Sequence, residues 1–232
     1  MSSVLSVLLL GFVLGMRHAT DADHVVAVSA IATRERSVRS ALLVGVSWGL
    51  GHAVTVLVVG GAIVVLGIVI PPRVGLGMEL SVAFVLIALG LVNVWGTLKE
   101  IRRVAHAHIA PASEEPVRPL PSGLLRSVGV GVVHGLAGSA AVALLVLASI
   151  RDARLAVLYL LVFGAGTILG MLALTSALAL PVAFAAERFG KVHRALASTA
   201  GFVSIALGLV LAYRIGFVDG LFTSAAPVWS PH

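Results

Sequence analysis

The chain contains no cysteine. Disulfides, thiolate metal sites and thiol-relay chemistry are therefore excluded, and any metal must be held by nitrogen and oxygen donors. Charge is also scarce: Asp, Glu, Lys and Arg make up 11% of the 232 residues, against about 25% in an ordinary soluble domain. The polar half of a normal water-facing surface is missing. What replaces it is apolar, 59% of the chain with a mean hydropathy of +1.09, so the chain reads as a membrane protein. A membrane helix takes about 20 apolar residues, and an apolar content of 59% fills about six such spans but not ten. No room is left for a separate soluble domain.

A net charge of +6 and a pI near 11.0 would suggest nucleic acid in a soluble protein. Here the excess rests on only 16 basic and 10 acidic residues, and the placement of the basic ones explains it as a topology signal, so no nucleic-acid partner is expected. Six apolar stretches run Val4 to Thr33, Ala41 to Ile70, Gly77 to Leu98, Gly123 to Ile150, Leu155 to Ala185 and Ala195 to Ile215. Charged or proline-containing breaks separate them, and the only long one is polar and cuts the chain near its middle. The first stretch lacks a charged leader and an A-x-A site, and reads as a retained helix. This gives three parts: 1–103, a polar cytoplasmic loop at 104–121, and 122–232.

The two halves look related. Gly15-x-x-His18 matches Gly131-x-x-His134 at an offset of 116, and Gly49-Leu50-Gly51 matches Gly164-Ala165-Gly166 at 115. Ile87-Ala88-Leu89-Gly90-Leu91-Val92 returns unchanged as Ile205 to Val210, at 118. Three matches in one order at a nearly constant offset predict a three-helix duplication. Because three is odd, the second copy enters the membrane from the opposite side. The expected fold is an all-α integral membrane protein of about six transmembrane helices in a 3+3 inverted repeat, with a site near the midplane.

Lys and Arg supply the orientation. The first, third and fifth loops carry eleven of them, and the other side carries four, Arg73, Arg151, Arg154 and Arg214. The odd loops are thus expected in the cytoplasm and both termini outside, in a multi-pass protein of the cytoplasmic (inner) membrane.

The sixteenth basic residue, Arg17, lies inside a span, in Gly15-Met16-Arg17-His18-Ala19-Thr20-Asp21-Ala22-Asp23-His24. Apolar flanks continue on both sides, which sets this cluster near the bilayer middle. Insertion scales charge about 2.5 to 3.5 kcal/mol for each Arg or Asp there, a cost rarely carried without use. On a regular helix of about 100° per residue, His18, Asp21 and His24 share an arc of about 120° while Asp23 points away. Arg17 stands four residues before Asp21, a spacing that permits an ion pair. Two imidazoles with one or two carboxylates suit a divalent first-row metal such as nickel, cobalt or zinc; calcium and magnesium would want more oxygens.

His52, in Ser47-Trp48-Gly49-Leu50-Gly51-His52, and His134, in Gly131-Val132-Val133-His134-Gly135-Leu136-Ala137-Gly138-Ser139, lie on small-residue surfaces that let a neighbouring helix approach. By the repeat His134 corresponds to His18 and Ser139 to Asp23, while Ala137 and Ala140 replace Asp21 and His24. The second copy has lost its carboxylates, so an asymmetric site is expected. His106 and His108 read as ordinary histidines of a solvated linker. Gly11, Gly15, Gly45 and Gly49 read as close-packing positions.

Arg17-His18-Ala19-Thr20-Asp21-Ala22-Asp23-His24 resembles the RHAxDADH signature, containing H-x-x-x-x-D-H, of the nickel/cobalt transporter (NiCoT) family. Leu50-Gly51-His52 resembles that family's LGH element on the next helix. The later Asp/Glu-rich motifs of the longer members are absent, which makes the chain more similar to the short urease-accessory type of nickel permease. The resemblance implies transport of Ni²⁺ and/or Co²⁺, with essential roles for the positions matching His18, Asp23 and His24.

The metal set expected is His18, Asp23, His24, His52, Asp21 and His134, with Asp21 and Asp23 as rival ligands. The family pattern favours Asp23 and the regular wheel favours Asp21. A straight helix over Val4 to Thr33 would be about 45 Å long against a hydrocarbon core of about 30 Å, so a bend or break is expected, and an unwound segment would turn Asp23 and His24 to the ion while Asp21 pairs with Arg17. No G-x-x-x-x-G-K-[ST] motif is present, so energy must come from the membrane potential, a proton gradient or a partner. The expected partners are a divalent ion as cargo, with no permanently bound cofactor, the lipid bilayer, and a metallochaperone or a urease or hydrogenase maturation client. The protein is read as a transporter and not an enzyme. Its rivals are an exporter of amino acids or other small solutes, and an intramembrane metalloenzyme with a catalytic Zn²⁺. Direction, metal rank and oligomeric state stay open at this level.

Overall fold

The computed structural model describes residues 2–35, 37–68, 70–107, 122–136, 149–150 and 152–229. Among them the helices are α1 (Ser2–His18), α2 (Ala22–Ala32), α3 (Val38–Leu66), α4 (Pro72–Ala107), α5 (Ser122–Leu136), α6 (Ala153–Arg188) and α7 (Gly190–Tyr213), the last continued by a π-turn over Arg214–Val218. Local chemistry sets several of their ends. The Ser37 side chain accepts from Ser40 N–H at 3.1 Å to open α3, and Gly67 closes it at φ +62°, a left-handed cap that costs glycine nothing. Pro72 opens α4, where a missing N–H is no loss. Asp152 Oδ1 accepts from the N–H groups of Arg154 and Leu155 at 2.8 and 3.1 Å and opens α6.

The first apolar stretch is broken. α1 stops at His18, α2 restarts at Ala22, and the two are bent by 54°. Thr20 N–H and Asp21 N–H donate to the Arg17 and His18 carbonyls at 2.8 and 3.1 Å, the tighter bonds by which a helix ends. Asp21 is extended, at φ −62° and ψ 150°. Thr and Asp favour such positions because their side chains compete for backbone groups. Asp21 and Asp23 then stand at the N-terminus of α2, where negative charge is favoured by the helix dipole. The shared arc of His18, Asp21 and His24 on a regular helix therefore does not form.

Four helices, Val38–Leu66, Pro72–Arg103, Ala153–Phe184 and Gly190–Val218, are long and apolar enough to cross a membrane, with mean hydropathies of 2.0 to 2.3. Taken together as one broken span, the bent pair would make a fifth, and Leu124–Leu136 is a shorter apolar helix. Residues 137–148 of the fourth apolar stretch, with Ala137, Ser139 and Ala140, lie outside the described residues, as does His108. α4 runs on to Ala107, past Arg103, where the sequence reading ended the first part. Large apolar side chains face outward, including Trp95 at 74% and Leu125 at 76% exposure, a surface suited to lipid. The chain is an all-α, multi-pass membrane protein.

α1 packs on α6, α3 on both α5 and α6, and α4 on α7; α2 lies against α4, α6 and α7. Asn93 of α4 fixes the far end of α2 by donating to the Ala30 carbonyl and to Thr33 Oγ1, both at 3.1 Å. Glycine sets the spacing. A Cβ on Gly15 would collide with the Phe163 carbonyl oxygen and lie 2.9 Å from Thr167 N, and one on Gly131 would collide with the Trp48 carbonyl oxygen and lie 3.0 Å from His52 N. Likewise Gly166 faces the Phe12 carbonyl and Gly51 the Val128 carbonyl. Without a hydrophobic drive between helices in lipid, such backbone approach supplies the packing.

Gly15→Leu and Gly131→Leu should each destabilise the protein by about 3 kcal/mol or more, since backbone cannot make way. Gly61→Leu and Gly77→Leu, where a Cβ meets nothing within 4 Å, should change stability by less than about 1 kcal/mol. Unfolding in detergent micelles measures both, and equal effects at the two kinds of site would refute the packing argument.

Candidate metal centre

Four imidazoles meet where α2, α3 and α5 converge on the end of α1. His18 closes α1, His24 lies in the first turn of α2, His52 is central in α3, and His134 is near the end of α5. All four are buried, with at most 5% exposure. Ring centroids of neighbours are 4.7 Å (His18 and His24), 5.0 Å (His18 and His52), 5.1 Å (His24 and His52) and 5.0 Å (His24 and His134) apart. The break brings His24 into this group. It ends α1 with His18 pointing inward and restarts α2 with His24 turned to face it. Glycine brings in the others, because Gly131 and Gly135 let α5 touch the backbone of α3 at His52.

The carboxylates divide. His18 Nδ1 donates to Asp21 Oδ2 at 2.8 Å, and Asp21 remains partly exposed, at 39% of its side chain. Arg17 is exposed, and among the described residues the ion partner of Asp21 is His18, so the expected Arg17–Asp21 pair is not formed. Asp23 faces inward: Oδ1 lies 3.2 Å from His24 Nδ1, and Oδ2 lies 3.4 Å from His134 Nε2, close enough for an ion pair but outside hydrogen-bond geometry.

These contacts order the protons. With His18 Nδ1–H held by Asp21, Nε2 carries the lone pair, so His52 Nε2 must donate across their 3.0 Å contact. An ion entering between the rings would take the place of that proton, which His52 would then carry on Nδ1. Metal–nitrogen bonds of about 2.0–2.1 Å place two ligands at a right angle about 3.0 Å apart, so the pair already stands at a ligand spacing. His24 Nε2, His52 Nδ1 and both ring nitrogens of His134 are buried without a hydrogen-bond partner. Unpaired groups of this kind cost about 1–3 kcal/mol each, and a divalent cation would satisfy those that turn a lone pair toward it, such as His24 Nε2.

Asp23, His18, His24, His52 and His134 thus come together, while Asp21 stands behind His18 as an orienting carboxylate. The sequence reading missed Trp48. Its ring stacks on His24 at 6.1 Å and 12° and meets His134 edge-on at 5.2 Å, forming an apolar wall. A lone Trp between small residues in mid-span was the available signal. Phe163, 5.7 Å from His18, and fully buried Thr167 close the α6 side.

No family model matches the chain, and no solved structure does. The chain is 35% identical over 222 residues to the urease accessory protein UreH of Bacillus sp. (strain TB-90), covering 94% of this chain and 96% of that one. Similarity over nearly the full length of both, at that identity, is family membership: the chain belongs to the UreH family of urease accessory proteins.

Proposed function

We propose that this chain carries Ni²⁺ and/or Co²⁺ across the cytoplasmic membrane through the His/Asp centre, as a transporter and not an enzyme. The observation that carries the reading is the centre itself: four buried imidazoles and Asp23 around a helix break inside a membrane protein, with lone pairs left unmatched. Nitrogen and oxygen donors without thiolate suit nickel and cobalt. The H-x-x-x-x-D-H resemblance supports the same cargo, and the name of the UreH family supports a urease maturation client. His18, Asp23 and His24 are the proposed ligands, with His52 and His134 assisting and Asp21 orienting His18.

The proposed scaffold is a six-helix 3+3 inverted repeat, with 1–103 and 122–232 as its halves and 104–121 between them. Reciprocal glycine contacts support it. Gly15 against Phe163 and Thr167 is matched by Gly131 against Trp48 and His52, and Gly166 against Phe12 is matched by Gly51 against Val128, each at the offsets of the sequence repeat. Gly90 on Ile205 and Gly208 on Ile87 are a third reciprocal pair. Rocking of the halves about the midplane would expose the centre to each side in turn.

Flux in proteoliposomes, run in both directions with nickel, cobalt and zinc, tests the reading. His18→Ala and His24→Ala should lower nickel flux by more than about a hundredfold with near-normal membrane insertion; wild-type flux from either would sink the metal-site reading. Asp23→Asn should match them. Asp21→Asn should cost about ten- to a hundredfold, the range for a carboxylate that orients a ligand, and Arg17→Gln should not rescue it. A larger loss from Asp21→Asn than from Asp23→Asn would reverse the two roles.

For orientation, a reporter fused after Ser122 should behave as cytoplasmic, and reporters at Pro72 or the C-terminus as external. A C-terminus on the same side as the middle loop would remove both the inverted repeat and the six-helix count.

A further inference from the structure

The donors fall into two overlapping groups: His18 with His24 and His52, and Asp23 with His24 and His134, each with its ligand atoms within 4.8 Å of one another. His24 belongs to both. Its two nitrogens are placed differently, Nδ1 at 3.2 Å from Asp23 Oδ1 and Nε2 buried without a partner. A neutral imidazole carries one N–H and one lone pair. With its proton on Nδ1, donated to Asp23, the ring offers its lone pair at Nε2; with its proton on Nε2, it offers the lone pair at Nδ1, beside Asp23. One ring therefore serves one group at a time.

Resting on the metal-site reading above, we propose that the centre holds a single divalent ion in either of two adjoining positions, with His24 as the ligand common to both. In the first position the ion is bound by Nε2 of His18, His24 and His52. Asp21 and Asp23 then stand behind His18 and His24, each accepting from Nδ1–H, the arrangement that fixes a metal-binding histidine and raises its basicity. In the second position the ion is bound by Asp23, by Nδ1 of His24 and by His134. Passage between them releases a proton from Nδ1 of His24 and takes one up on Nε2, leaving the net proton count unchanged. Asp23 exchanges a hydrogen bond to His24 for a bond to the ion. Each position supplies three protein donors, so the ion keeps coordination sites for water and is not caged. A carrier needs that balance, since a site that binds too completely does not release.

The test uses the full chain, labelled with ¹⁵N-histidine in detergent micelles and titrated with Zn²⁺ alone, a diamagnetic ion whose ligation shifts the nitrogen it binds. Wild type should bind one Zn²⁺ per chain. In His18→Gln/His52→Gln, His24 should ligate through Nδ1; in Asp23→Asn/His134→Gln it should ligate through Nε2, with affinity lowered about ten- to a hundredfold in both. Should a double variant fail to fold, His52→Gln and His134→Gln singly bias the ring toward the same two assignments. Ligation through one and the same nitrogen in both backgrounds, two Zn²⁺ ions bound at once, or loss of all binding from both variants would overturn the two-position centre. Failure of wild type to bind Zn²⁺ at all would instead overturn the metal-site reading on which it stands.

Discussion

A polar group inside the hydrocarbon region has no water to turn to, so every imidazole and carboxylate brought there must be met by the protein or by what it carries. The arrangement around His24 follows from that constraint. Asp21 engages His18 and Asp23 engages His24, so two carboxylate charges are offset by ring N–H groups; the Nε2 lone pair of His18 meets His52, and that of His24 is left facing inward without a partner. Trp48 and Phe163 keep the neighbouring volume apolar. What remains unmatched among these groups is donor capacity of the kind a divalent cation accepts.

The helix break makes this possible. A continuous helix would have sent Asp21 to the histidine face and Asp23 toward a neighbouring helix. Three residues of non-helical backbone between His18 and Ala22 redirect the chain by 54° and reverse the two roles. The same run is tolerated at depth because its freed backbone groups are bonded locally and because α2 is a proper helix with acidic residues at its positive end. Close packing then completes the centre. Gly131 and Gly135 allow α5 to approach α3 at His52, and Gly15 and Gly166 seat α1 on α6.

On the proposed repeat the two halves would contribute unequally. His134 would stand where the first half has His18, and Thr167 where it has His52; the Thr167 hydroxyl is satisfied within its own helix by the Phe163 carbonyl at 3.0 Å. The ligating chemistry thus gathers around α2, α3 and α5, while α6 supplies a neutral wall.

Much of this was legible in the residues. Composition alone established a membrane protein, because apolar content and charge reflect the solvent that a surface must face. The polar run from Arg17 to His24 stood out because each charge there carries an insertion cost, and His52 and His134 were found through their small-residue neighbours. The expectation of a break followed from length, since a helix of the first stretch would overrun the bilayer. With it came the expectation that an unwound segment turns Asp23 and His24 inward. That Asp21 is bound by His18 and not by Arg17, that Trp48 walls the centre, and that His24 lies between two sets of donors depend on directions in space between residues far apart in the chain. Sequence records which groups must avoid lipid; only the packed helices decide which of them meet, because that choice is made by backbone approach at a few glycines and by one change of direction at Ala19–Asp21.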